Sequence, residues 1–166
     1  MDKKSKFLLL QVNDALFPIG GYSHSYGLET YIQKELVTNA AEAESYIRNK
    51  LTQNLLYNEL FFCRLAWERG QAQDMEGLQE LEEVLEAGKV PSEIREASKK
   101  MGSRFAKTLK NCGIVYETPV FLRYLEKKKN GSVHHVIAYG IFCSSIGISL
   151  EDCLEHFLYA QTSAMV

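Results

Sequence analysis

Residues 132–147 read SVHHVIAYGIFCSSIG, and this stretch decides between an all-helical and a mixed fold. Its β-branched residues, and the pair Asn130-Gly131 before it, are typical of a strand that follows a tight turn. The segments on both sides have apolar residues at helical spacing, and a lone strand would have no partner for its backbone hydrogen bonds. We therefore predict a helix here and an all-α fold, a compact multi-helix bundle.

The helical spacing continues outward in both directions from this stretch. On the amino-terminal side, it predicts a long helix capped by Asn39 and ending at Gly70, an acidic helix ending at Gly88, and a helix from Ser92 to Gly113. Two short helices precede these, one over residues 7–16 and one that begins at Ser25. On the carboxyl-terminal side, Thr118-Pro119 predicts a helix start. A capping box from Ser149 to Asp152 starts a final helix.

Length and charge exclude several classes of protein. The chain has 166 residues, which suits a single domain over residues 1–166. A formal net charge of -2 gives no general attraction to nucleic acid or anionic membranes. No segment reads as a signal peptide or a transmembrane helix, and the four scattered cysteines are typical of buried residues in a reducing compartment. We therefore expect a cytoplasmic protein.

The stretch PIGGYSHSYGLE, residues 18–29, is rich in glycine between apolar flanks. It lacks the Lys-Ser/Thr of a phosphate-binding loop and the second glycine of a dinucleotide fingerprint. Gly20 and Gly21 allow a sharp chain reversal, and we predict that one of them has positive φ. A hydrolase using Ser23 or Ser25 with His24 stays an alternative, although neither serine lies in a Gly-x-Ser-x-Gly elbow. From the residues, we favour a tight turn between two helices over a catalytic loop.

The stretch REASKKMGSRFAKTLK, residues 95–110, predicts a helix with two distinct faces. Ser98, Gly102 and Ala106 recur at every fourth residue and form a groove that admits a neighbouring helix. Lysines and arginines on the other face lie after an acidic helix in the sequence. These charges are solvated surfaces that pair with each other, or a docking surface for an acidic partner. A helical nucleic-acid-binding module is a further alternative.

The histidines and cysteines predict no metal site. His134 and His135 are adjacent, so on a helix their side chains point about 100° apart and do not chelate one ion together. The cysteines lack the spacing of a zinc site. We therefore expect no tightly bound metal and no cofactor.

Three blocks of the sequence together resemble one family, the urease accessory protein F family. They are LLLQVNDALFPIGGYSHSYGLETYI at residues 8–32, REASKKMGSRF at 95–105, and the segment 135–166. The resemblance covers nearly the whole chain in the same order. The residues that carry it, and that it implies are partner-binding or structural, are Asp14, Pro18, Gly20, Gly21, His24, Ser25, Gly27, Leu28, Glu29, Glu96, Ser98, Gly102, Arg104, His135 and Gly140.

The resemblance implies a non-catalytic scaffold or chaperone for nickel insertion into apo-urease. It implies a homodimer that binds urease accessory protein D or H and recruits the GTPase urease accessory protein G, with nickel handled by the complex. Family members continue past the point where this chain stops. We therefore expect a fragment that lacks the family's C-terminal helices and tail.

Overall fold

A computed structural model of the chain describes residues 3–20, 27–89, 91–129 and 131–163. Over these ranges the regular structure is helical and includes no strand, which confirms the predicted all-α fold. The helices are α1 (Lys3–Val12), α2 (Leu28–Gln33), α3 (Ala40–Asn49), a π-helical segment (Lys50–Leu60), α4 (Phe61–Gln71), α5 (Met75–Gly88), α6 (Ser92–Lys110), α7 (Val120–Lys128), α8 (His135–Ser145) and α9 (Leu150–Ser163).

Helix α8, which is the ambiguous stretch of the sequence, lies at the centre of the fold. Each of its residues is buried. It packs against α4, α6, α7 and α9, and most extensively against α4. A helix buried on every side shows no amphipathic pattern, and this is why its sequence also suits a strand.

Small residues let α8 approach α4 closely. A side chain on Gly140 would begin 2.6 Å from the carbonyl oxygen of Cys63 and 2.9 Å from the Cβ atom of Ala66. Gly70 of α4 similarly faces the Ser144 side chain of α8. Gly140 therefore has a packing role between these two helices.

The groove predicted on α6 is occupied by the chain entering α8. A Cβ atom on Gly102 would overlap the carbonyl oxygen of Val133 and lie 2.6 Å from the amide nitrogen of His135. Ala106 is buried beside it, and Ser98 is hydrogen-bonded to His134 at 3.1 Å. The spacing of small residues thus identified a real helix contact.

The predicted caps are confirmed where the capping interaction is local. Asn39 accepts a hydrogen bond from the amide of Glu42 at 3.0 Å. In the capping box, the amide of Asp152 donates to the Ser149 hydroxyl at 3.1 Å, and this hydroxyl donates to the Asp152 carboxylate at 2.6 Å. Short-range hydrogen bonds of this kind depend mainly on neighbouring residues, so the sequence predicts them well.

Several helix boundaries differ from the prediction. The first helix is α1, Lys3–Val12, rather than residues 7–16, because the chain turns at Asp14 and its carbonyl accepts from the Phe17 amide at 2.9 Å. Helix α7 begins one residue late, with Pro119 at its N-cap position. The predicted Asn39-to-Gly70 helix is continuous to Gln71, but its middle third is π-helical.

No helix in the described part of the chain is long and apolar enough to cross a bilayer.

Candidate functional site

The first and second motif blocks meet at one end of the bundle. Gly20 has φ +76°, which confirms positive φ at the glycine pair. The Arg104 guanidinium of α6 lies against this glycine, at the place where a side chain would begin, and is 3.5 Å from the carbonyl oxygen of Ile19. The turn after α1 is therefore seated on α6, next to the Gly102 contact with α8.

A cleft of about 270 Å³ opens beside this junction. We call it the α1–α9 cleft, because residues 12–19 form one wall and residues 157–163 of α9 form another. Met101 of α6 and His135 of α8 complete it. The residues that line it include Asn13, Asp14, Phe17, Met101, His135 and Tyr159. The cleft thus brings parts of all three motif blocks together.

His135 is the buried polar group of this cleft. The residue is 8% exposed, and its ring stacks on Phe157 at 5.9 Å between centroids and meets the Phe105 ring edge-on at 5.3 Å. Burial, with a smaller contribution from the positive charge of Lys89, lowers the pKa of His135 to about 4. The imidazole is therefore neutral at pH 7. Its Nε2 atom has no hydrogen-bond partner among the described residues.

The wall of the cleft contributed by α1 is fixed by two polar side chains. The Asn13 side-chain amide donates to the Tyr139 hydroxyl of α8 and to the carbonyl of Leu9, both at 2.8 Å. The Asp14 carboxylate accepts from the amide of Leu16 at 2.7 Å and remains exposed. The sequence does not single out Asn13, because asparagine is common near helix ends, where its side chain bonds the local backbone.

His134 has a larger structural role than the sequence indicated. The residue is 2% exposed, and its ring lies 3.1 Å from the Ser98 hydroxyl and 2.8 Å from the Glu86 carboxylate. Glu86 also pairs with Lys99 at 2.5 Å. This hydrogen bond to Lys99, followed by the one to His134, lowers the pKa of Glu86, whereas burial lowers the pKa of His134. The network joins α5, α6 and α8.

The order hydroxyl, imidazole, carboxylate in this network also occurs in serine hydrolases. Here Ser98 is half-buried within α6 and hydrogen-bonded to His134, the residue before α8, and His134 is almost fully enclosed. A nucleophile must be reachable by its substrate, so this geometry supports a packing role. The pairing of Glu86 with Lys99 and, at 3.3 Å, with Arg95 realises part of the predicted attraction between the acidic and basic faces.

The remaining motif residues are divided among other places. Glu96 is exposed and lies 3.5 Å from Lys99. Gly27, with φ +93°, precedes α2, which begins at Leu28 and Glu29. Pro18 is exposed in the turn after α1. The residues Gly21, Ser23, His24 and Ser25 lie outside the described part of the chain, so the structure does not test the hydrolase alternative that uses them.

Within the described ranges, no group of three or more histidine, cysteine, aspartate or glutamate side chains is arranged to hold a metal ion.

The comparison with known proteins agrees with the motif blocks. The UreF family model matches residues 37–166. Urease accessory protein UreF of Bacillus sp. (strain TB-90) is 32% identical over 160 residues, covering 95% of this chain and 69% of the relative. UreF of Corynebacterium glutamicum (strain R) is 32% identical over 168 residues, covering 100% and 72%. UreF of Haemophilus influenzae (strain PittGG) is 34% identical over 154 residues, covering 91% and 64%.

Proposed function

Because the chain belongs to the UreF family of urease accessory proteins, we propose that it is a non-catalytic scaffold in urease maturation. It binds urease accessory protein D or H, recruits the GTPase urease accessory protein G, and supports nickel insertion into apo-urease. Nickel is the cargo of the complex, and this chain holds none of it tightly. The protein acts in the cytoplasm as a homodimer.

The observation that carries this proposal is the contrast in burial within the motif residues. Gly102 and Ser98 lie inside the contact between α6 and the start of α8, so they are not free to bind a partner. Asp14, Pro18 and Arg104, by contrast, are exposed. Asp14 lines the α1–α9 cleft, and the other two lie beside its lining residue Ile19. Exposed residues on and beside a connecting segment are typical of recognition surfaces, because loops held by a rigid scaffold carry much of the binding function of proteins. This end of the bundle is therefore the part of the chain that we assign to partner binding.

The side chains that could bind a metal ion near the cleft also favour a scaffold over a metal-binding enzyme. His135 is neutral and enclosed by aromatic rings, and a single imidazole of this kind offers one ligand. Among the described residues, no group of three or more histidine, cysteine, aspartate or glutamate side chains is arranged to hold a metal ion around it. Equilibrium dialysis of the purified protein with nickel chloride tests this point, and a tight one-to-one complex lost in His135→Ala would contradict it.

The central experiment is reconstitution of urease activation. The chain is co-expressed with the D/H protein, the G protein and the urease subunits, and both co-purification and urease activity are measured. We expect Arg104→Ala to reduce both strongly while lowering the unfolding midpoint only slightly, because Arg104 is exposed and its contact with the Ile19 carbonyl is long, at 3.5 Å. The matched control is Lys110→Ala, an exposed charge near the end of the same helix, which should leave both unchanged. Full activation in cells that lack the chain would refute the proposed function.

A further inference from the structure

Three of the four cysteines converge in the core, although they are far apart in the sequence. Cys63 lies on α4, Cys143 on α8 and Cys153 on α9, and all three are fully buried free thiols. The sulfur atoms of Cys63 and Cys153 are 3.7 Å apart, in van der Waals contact. The fourth, Cys112, is exposed at the end of α6, and its thiol donates to the Thr108 carbonyl at 3.1 Å.

The three buried thiols are not chemically equivalent. Burial raises the pKa of Cys63 and that of Cys143. Cys153 is different, because the interactions of its sulfur with the thiols of Cys143 and Cys63 lower its pKa. If one member of the cluster loses its proton first, it is therefore Cys153. The thiolate is the form that attacks peroxides and disulfides.

We propose that Cys63 and Cys153 form a redox-responsive pair, which a peroxide converts into a disulfide that joins α4 to α9. The Cys153 thiolate attacks one peroxide oxygen, the O–O bond breaks, and hydroxide leaves, so that Cys153 becomes a sulfenic acid. The Cys63 sulfur then attacks the Cys153 sulfur and the S–O bond breaks. The Cys63 proton leaves with the hydroxyl as water. The two sulfurs are oxidised and the peroxide is reduced to water.

The geometry requires only a small movement of the two side chains. A disulfide is about 2.05 Å long, so the sulfurs must approach by less than about 2 Å, roughly a side-chain rotation at each cysteine. Hydrogen peroxide is close to water in size. The α1–α9 cleft reaches Phe157, which lies one turn beyond Cys153 on the same buried face of α9. A small oxidant in the cleft is therefore about one helical turn from Cys153 along α9.

The bond would also restrain the candidate site. Phe157 stacks on His135, and residues 157–163 form one wall of the α1–α9 cleft. Linking Cys153 to α4 holds the first turn of α9 in place and limits the movement of that wall. The thiol chemistry itself does not depend on the function proposed above, so the two can fail separately.

The test uses the full chain with Cys112→Ser, which removes the exposed thiol and prevents cross-links between molecules. The native protein is treated with hydrogen peroxide, unfolded, and assayed for free thiols, and the linked peptides are identified by mass spectrometry. We expect the free thiols to fall from three to one, with Cys63 joined to Cys153. Cys143→Ser in the same background should still form this link, and Cys153→Ser should not.

Four results would overturn the inference. One is that all three thiols survive in the native protein and react only in denaturant. A second is a link from Cys143 to either partner in place of the Cys63–Cys153 link. A third is oxidation of Cys153 to a sulfinic or sulfonic acid without formation of the disulfide. The fourth is protection of all three thiols by a tightly bound soft metal that co-purifies with the chain. Circular dichroism of each variant before treatment ensures that only folded protein is compared.

Discussion

The contact between α6 and α8 and the turn at residues 13–20 are both built from motif residues, yet they differ in burial. In the first, Gly102 has the backbone of residues 133–135 against it and Ser98 is hydrogen-bonded to His134. In the second, Asp14 and Pro18 are exposed. The first region therefore determines whether the protein folds, whereas changes in the second should mainly affect what the folded protein binds.

The largest effect is expected at Gly102. Gly102→Val places a branched side chain on the carbonyl of Val133 and on the amide of His135, which are backbone atoms that cannot rotate away. We expect a loss of about 3 kcal/mol in the free energy of unfolding, measured by urea denaturation. Gly88→Val is the control, because no atom lies within 4 Å of the position where its side chain would begin. Equal losses in the two variants would show that the α6–α8 contact is not tight.

The second effect concerns His135 and pH. Its pKa in the folded protein is about 4, below the usual value of 6.5, so the unfolded chain takes up a proton first as the pH falls. The contribution of neutral His135 to the stability of the fold is therefore complete above pH 6.5 and is lost progressively as the pH falls from there to pH 4. We expect about 2 kcal/mol to be lost between about pH 7 and pH 5 through this group.

The measurement compares wild type with His135→Phe, which keeps an aromatic ring but cannot be protonated. Urea denaturation at both pH values gives the loss for each protein, and the difference between the two losses isolates His135 from the other titrating groups. The variant should lose less stability on acidification. If both proteins lose the same amount, His135 is not held neutral in the fold.

How far the sequence could predict these two regions depends on the range of the interactions. The caps at Asn39 and Ser149 need only residues three positions away, and the small-residue groove on α6 follows from spacing along one helix. The roles of His134 and His135 depend on which helices surround α8, and the residues next to them in the sequence do not predict those helices. One joins a polar network and the other an aromatic cluster, although they are adjacent.

The contacts that the sequence could not indicate join distant segments. Cys63 and Cys153 are ninety positions apart and carry no spacing signal. Arg104 and Ile19, which are in contact where the turn packs on α6, are 85 positions apart. The motif resemblance identified Gly20, Arg104 and His135 as members of one set, but it did not show that Arg104 contacts Gly20 or that His135 lines the cleft beside them. Those contacts depend on how segments far apart in the sequence pack together.

A smaller effect is expected at Gly20, which has φ +76°. Gly20→Val forces a β-branched residue into the left-handed region, and we expect a loss of about 1 kcal/mol in the free energy of unfolding. Gly113→Val is matched to it, because Gly113 has φ +62° and no neighbour within 4 Å of its missing side chain. Both variants should be strained, and only Gly20→Val should displace Arg104 and weaken D/H-protein binding. An unchanged unfolding midpoint in Gly20→Val would contradict this.

The smallest effect on stability is expected at Asp14, where the two regions should differ most clearly. Asp14→Ala removes one exposed hydrogen bond, to the Leu16 amide at 2.7 Å, so the free energy of unfolding should change by less than about 0.5 kcal/mol. Because this carboxylate lies at the mouth of the α1–α9 cleft, co-purification with the D/H protein and urease activation should nevertheless decrease. Glu126→Ala, an exposed carboxylate on α7, should change neither. If Asp14→Ala and Glu126→Ala give the same yield of complex and the same urease activity, the turn is as structural as the α6–α8 contact, and partner binding belongs elsewhere on the chain.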